Sequence, residues 1–102
     1  MQFINCTPHD IVLNDGTVFP KSGNIARVSV SFSEFDSDGI CRQVFGDVEG
    51  VPEPEEGKCY IVSAVVLSAS DRDDVVAPAT GHPDVVRNDK GHIVSVPGFV
   101  SR

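Results

Sequence analysis

The chain has 102 residues, 40% of them hydrophobic, with nine Gly, seven Pro, three Cys and a formal net charge of −7. That length has room for one modest core and none for a second, so residues 1–102 are read as a single domain. So acidic a balance excludes an ordinary reader of DNA or RNA, whose affinity comes from neutralising phosphates with Lys and Arg.

In chain order, the segment Gln2-Phe3-Ile4-Asn5-Cys6 reads as a first strand, followed by the polar turn Thr7-Pro8-His9-Asp10. Ile11-Val12-Leu13 and Thr17-Val18-Phe19-Pro20 flank Asn14-Asp15-Gly16, and Asp-Gly between β-type runs predicts a hairpin whose central residues take positive φ. Lys21-Ser22-Gly23-Asn24 predicts another turn, and residues 25–32 alternate apolar and polar as a half-buried strand does. Residues 33–39 are polar and acidic and read as a loop before a strand over residues 40–45. Residues 46–57, rich in Gly and Pro, are expected to be irregular. Eight of the fifteen acids lie in residues 34–56, where Arg42 is the sole base.

Cys59-Tyr60-Ile61-Val62-Ser63 is the most hydrophobic strand candidate, and Ala64-Val65-Val66-Leu67-Ser68-Ala69-Ser70, free of Gly, predicts the one short helix. Asp74-Val75-Val76-Ala77 reads as a strand, and Val85-Val86-Arg87 with Ile93-Val94-Ser95-Val96 forms a second hairpin around Asn88-Asp89-Lys90-Gly91. Val and Ile are stiff at Cβ and suit a pleated surface. The expected fold is therefore mainly β (α+β): six to eight short antiparallel strands in a single sheet or small barrel, with one short helix.

No apolar run approaches the roughly 20 residues that cross a bilayer, and no basic segment followed by an apolar one opens the chain, so a cytosolic location is expected. The odd cysteine count, with no C-x-x-C pair, predicts three free thiols packed as small apolar residues. Phosphate loops, dinucleotide fingerprints, nucleophile elbows and metal-binding helices have no match, so no cofactor or metal is expected. Thr7 and its neighbours have residue types found in catalysis, but short polar side chains more often hydrogen-bond their own turn. Ser22-Gly23 could offer backbone N–H groups to an anion, with a tight turn as the plainer reading. The paired carboxylates of Glu53-Pro54-Glu55-Glu56 read as solvated. Arg27, Arg42, Arg72 and Arg87 sit beside apolar residues, where an Arg serves either as a fixed fork for phosphate or carboxylate or as half of a structural ion pair.

Several blocks resemble a family of small proteins from tailed-phage and prophage genomes: Asn5-Cys6-Thr7-Pro8-His9, Pro20-Lys21-Ser22-Gly23 with Ala26-Arg27, residues 46–57, and Tyr60-Ile61-Val62-Ser63. Later blocks are Arg72-Asp73-Asp74-Val75 and Val86-Arg87-Asn88 with Gly91 and Ile93-Val94. The likeness spans nearly the whole chain, with Cys6 standing where an apolar Leu is expected. It implies a phage origin rather than a chemistry, and with it an inhibitor of host defence acting in the host cytoplasm. In one version the protein sequesters a nucleotide-derived immune signal. Arg27, Arg42, Arg72 and Arg87 would then hold a small anionic ligand with Thr7, Ser22 and Gly23, and Tyr60 or a Phe would stack on it. In the other it binds a host defence protein directly, presenting residues 34–56 as a nucleic acid mimic. A small enzyme using His9 or His82 with a nearby Asp is the third class. Assembly of several copies is left open.

Overall fold

Residues 59–62 are apolar without interruption, which suits a strand covered on both faces, and the computed structural model places them at the centre of the molecule. The structure describes residues 1–101. The central sheet has four strands: β1 (Gln2–Asn5), β6 (Lys58–Ile61), β7 (Val75–Pro78) and β10 (Phe99–Val100), in the order β1-β6-β7-β10. β1 runs parallel to β6 with Gln2 opposite Lys58, β6 runs parallel to β7 with Tyr60 opposite Val75, and β10 closes the edge antiparallel to β7.

Parallel neighbours need a crossover, and α1 (Ala64–Ala69) provides it between β6 and β7. Ser63 caps the helix by accepting a hydrogen bond from the Val66 N–H, and the chain leaves it at Ser70, whose N–H donates to the Leu67 carbonyl. Val66 and Leu67 turn towards the sheet.

Alternation along the strands sends side chains to two covered faces. Tyr60, Val62, Val75 and Ala77 pack with Cys6 and the helix, while Ile61, Val76 and Phe3 pack on the other side with Ile11 and Val96. A trio of rings, Phe3, Phe19 and Phe99, fills that second side with centroids 5.3–5.6 Å apart. The second side is covered by two hairpins, β2 (Ile11–Val12) with β3 (Val18–Phe19) and β8 (Val86–Arg87) with β9 (Ile93–Ser95). The helix side also receives the base of a longer ribbon, β4 (Arg27–Phe32) with β5 (Gln43–Glu49).

The mainly β class with one short helix is thus the observed one, with ten strands among the described residues. Among the described residues the sheets stay open, with no barrel, and three two-stranded ribbons accompany the central sheet. The antiparallel expectation holds for those ribbons, but β1, β6 and β7 pair in parallel. The fifth strand begins at Gln43 rather than residue 40 and runs on to Glu49, into the stretch expected to be irregular. The ladder absorbs Gly46 and Asp47 as a bulge between the Val28–Val48 and Val30–Phe45 pairs.

The hairpin turns also differ in type from the expectation. Among the described residues none other than Gly has positive φ, so the Asp-Gly turn does not place two residues there. Instead Gly16 N–H donates to the Leu13 carbonyl and Leu13 N–H to the Thr17 carbonyl, a type I turn closed by a left-handed Gly. Gly91 and Asn88 repeat the pattern, and so do Gly39 and Asp36 at the ribbon tip, where a loop was expected. The radius of gyration, 15.6 Å, exceeds the about 13 Å of a rounded chain of this length, and the molecule measures 50 × 39 × 22 Å. No helix among the described residues is long and apolar enough to cross a membrane.

Candidate interaction surface

The turn that follows β1 is built on Asn5. Its buried amide donates to the carbonyls of His9 (2.7 Å) and Phe19 (2.8 Å), and its Oδ1 accepts from the N–H (2.9 Å) and Oγ1 (2.6 Å) of Thr7. Ser22 donates from both N–H and Oγ to the Asn5 carbonyl, and Gly23, with φ of 97°, turns the chain back. The polar groups of Thr7 and Ser22 therefore hold the loop itself, and the plainer turn reading of both is the observed one. Asn5 organises the turn; it was read as part of the first strand, although Asn is a residue type that bonds the backbone two residues on, as it does to Thr7.

Arg72 donates from Nε and Nη2 to the two carboxylate oxygens of Asp74, at 2.8 and 2.6 Å, and its guanidinium lies 5.5 Å from the centroid of the Tyr60 ring. This bidentate pair holds the Asp74 carboxyl below its ordinary range, chiefly through the hydrogen bonds from Arg72. The Tyr60 ring is buried in the core and its hydroxyl donates to the Glu53 carbonyl, so it has no free face on which a base could stack. A cavity of about 470 Å³ borders Arg72, but Asp47 and Asp71 also line it. With the Arg72 charge already matched by Asp74, its field is unsuited to a phosphate.

Arg87 donates from Nη1 to the Gly91 carbonyl and braces its own hairpin. Arg27 and Arg42 are exposed, and their guanidinium groups form no hydrogen bond or ion pair among the described residues. The four arginines are thus not gathered around one ligand. Arg72 and Arg87 are engaged within the fold, whereas Arg27 and Arg42 stand at opposite ends of the β4–β5 ribbon. Of the His–Asp pairs considered for an enzyme, His82 and Asp84 do meet on an exposed loop, but there His82 Nδ1 accepts the Asp84 N–H.

Six exposed large apolar side chains lie on the ribbon and its tip: Val30, Phe32, Phe35, Ile40, Val44 and Phe45. Val28, Val30 and Phe32 share one face of β4, with Val48 and Phe45 opposite them on β5. Val28 and Val48 pack against the core, and beyond the bulge the same face continues uncovered: Val30 is 39% exposed, Phe45 40% and Phe32 66%. At the tip Phe35 is 72% and Ile40 63% exposed. The opposite face carries Ser31 and Val44 in register, with Arg27 opposite Glu49 near the base. All eight acids of residues 34–56 are exposed, and among the described residues Glu55 is the one of them that forms an ion pair, with Lys58. The alternation of β4 was legible, but it could not show that half the strand has nothing to lie on. No family model, curated protein or solved structure matches the chain.

Proposed function

We propose that the chain is a phage protein that counters host defence, in the host cytoplasm, by binding a defence protein directly with its acidic residues 34–56 as a surrogate for a nucleic acid backbone. The observation that carries this reading is the disposition of charge. The acids of that stretch all face water, while two of the four arginines expected at a ligand are engaged within the fold. An exposed field of one sign steers an oppositely charged partner and loses strength as salt screens it. A small anionic, nucleotide-like ligand is the second reading, supported by the free guanidinium groups of Arg27 and Arg42.

The two readings separate in a plaque assay on defence-carrying host cells. The triple variant Glu34→Gln, Asp38→Asn, Asp47→Asn should lose protection of the phage, while Arg27→Ala with Arg42→Ala should retain it. The reverse outcome, or a small mass retained on the protein in native mass spectrometry after purification from infected cells, would replace direct protein binding with sequestration.

A further inference from the structure

We infer that the Asp38–Gly39 step, at the tip of the β4–β5 ribbon, is a site of spontaneous covalent modification, where the Asp38 carboxyl closes onto the next peptide nitrogen and the main chain is rerouted through an isoaspartyl link. This goes beyond the proposed target and depends on neither reading of it.

The chemistry needs no reactant but water. The Gly39 nitrogen attacks Asp38 Cγ: an N–Cγ bond forms, the Cγ–OH bond breaks, and the amide proton leaves with the hydroxyl as water. Water then opens the five-membered imide. Addition at Cγ restores Asp38, whereas addition at the Asp38 main-chain carbonyl breaks its bond to the Gly39 nitrogen and leaves the chain running through Cβ. Net charge is unchanged, but the turn gains one main-chain atom. Glycine obstructs the attack least, since it has no Cβ, and Asp15 and Asp38 are the two Asp residues that precede a Gly.

Both steps are exposed and lie in type I turns closed by a left-handed Gly. In each turn the attacking nitrogen donates to the carbonyl three residues back, Gly16 to Leu13 and Gly39 to Asp36. Ring closure therefore waits for the turn to open. What separates the two is what holds each turn shut.

Asn14 ties the Asp15 turn to the body of the domain with three hydrogen bonds. Its N–H donates to the Val96 carbonyl (2.9 Å), its Nδ2 donates to the Asp84 carbonyl (2.9 Å), and its Oδ1 accepts from Ser95 Oγ (2.7 Å). The Asp15 carboxylate is engaged as well, with Oδ1 accepting the Thr17 N–H at 2.9 Å. That bond holds the carboxyl below its ordinary range, in the ionised form that is the poorer electrophile. Around Asp38, among the described residues, every hydrogen bond of residues 33–42 stays within that stretch, and the Asp38 carboxylate has no partner. The ribbon face from Val30 outward is uncovered. A two-stranded ribbon without a supporting layer is at best marginally stable, and segments with few buried contacts open at a small part of the global cost. The Asp38 turn thus opens far more often, with its carboxyl free to swing onto the nitrogen.

Peptide mapping of the full chain after several weeks in neutral buffer made with heavy-oxygen water tests this. Trypsin cuts after Lys21, Arg27 and Arg42 and so separates the two sites. Each passage through the imide fixes a labelled oxygen, and electron-transfer fragmentation reads both the label and the isoaspartyl link. In the folded chain both should accumulate at Asp38 about tenfold or more faster than at Asp15, whereas in guanidinium chloride the two sites should convert at similar rates. Asn14→Ala should raise conversion at Asp15 while leaving Asp38 in the same molecule unchanged. Asp38→Glu, which keeps the charge but needs a larger ring, should take up no label there. Conversion at Asp15 as fast as at Asp38 in the folded chain, the same ratio of the two in guanidinium chloride, an Asp15 rate unmoved by Asn14→Ala, or label persisting in Asp38→Glu would each overturn the inference. No host or phage enters these measurements, so modification and target stand or fall separately.

Discussion

Asn5 has both amide hydrogens donated and Oδ1 accepting twice, so a buried polar group that would otherwise be costly pins one turn to another. Cys6 and Cys59 lie in the core with thiols pushed up by burial, while Cys41 is partly exposed, and all three are free thiols, as expected from the odd count, the cytosolic reading and the lack of a C-x-x-C pair taken together. The Arg72–Asp74 pair has a measurable signature. Asp74 is held below its ordinary value of 3.8, first by the Arg72 hydrogen bonds and also by the Arg72 charge, against an opposing contribution from burial. A carboxyl whose folded pKa lies below its unfolded one stabilises the fold above the unfolded value, and that stabilisation is lost as pH falls through the folded value. The side chains are about a quarter exposed, so the pair is expected to contribute about 1 kcal/mol. Asp74→Asn should lower stability by that amount at pH 7 and be nearer the wild type at pH 2.5. Urea titrations at the two pH values check this, and an equal deficit at both would remove the ion pair as its source.

Among the elements, the three hairpin turns share one design, and two were legible because Asp-Gly and Asn-Asp-Lys-Gly stand between clear β-type runs. The third, Asp36-Ser37-Asp38-Gly39, lies among acids that read as a solvated loop. Its hydrogen bonds from the N–H groups of Asp38 and Ile40 to Asp36 Oδ1 make it a turn as well ordered as the others. The expected loop ended at Gly39, as the turn does, but pairing slips between Asp36–Ile40 and Ser33–Arg42, so the regular ladder of β5 starts only at Gln43. Gly16→Ala and Gly91→Ala should each cost about 1 kcal/mol, because the left-handed backbone is strained for any Cβ. Gly50 follows the ribbon with φ of 85°, and a Cβ there would lie 2.1 Å from the Ile25 carbonyl oxygen. Gly50→Ala should therefore cost at least about 3 kcal/mol, since it adds a backbone collision to the strained dihedral. Chemical denaturation of the three variants ranks them, and a Gly50→Ala variant no worse than the others would contradict the close approach. Parallel pairing was not legible, because a strand's own sequence does not name its partner. Residues 59–63 stood out in the sequence only as its most hydrophobic strand candidate.

For the molecule as a whole, composition correctly gave the β-rich class, while the candidate site shifted from the arginines to the ribbon once burial was known. Arginine in a sequence shows a capacity for bidentate bonds; whether Asp74 or a ligand fills it depends on tertiary placement. The parallel pairing of β1 with β6 has a kinetic consequence. Gln2 meets Lys58 across 56 positions of chain, so the N-terminal strand leaves the ribosome long before its partner exists. Local hairpins close in about 1–10 µs, whereas pairings of such sequence separation set folding times of milliseconds to seconds. Tyr60, the sole tyrosine in a chain without tryptophan, sits in β6 and reports when that pairing forms. In stopped-flow refolding its fluorescence change should lag the early far-UV dichroism signal, and coincident traces would contradict that order. Until the central sheet closes, Phe32 and Phe35 are already displayed on a formed ribbon, so the nascent chain presents its stickiest surface first and depends on the speed of its slowest pairing to escape aggregation.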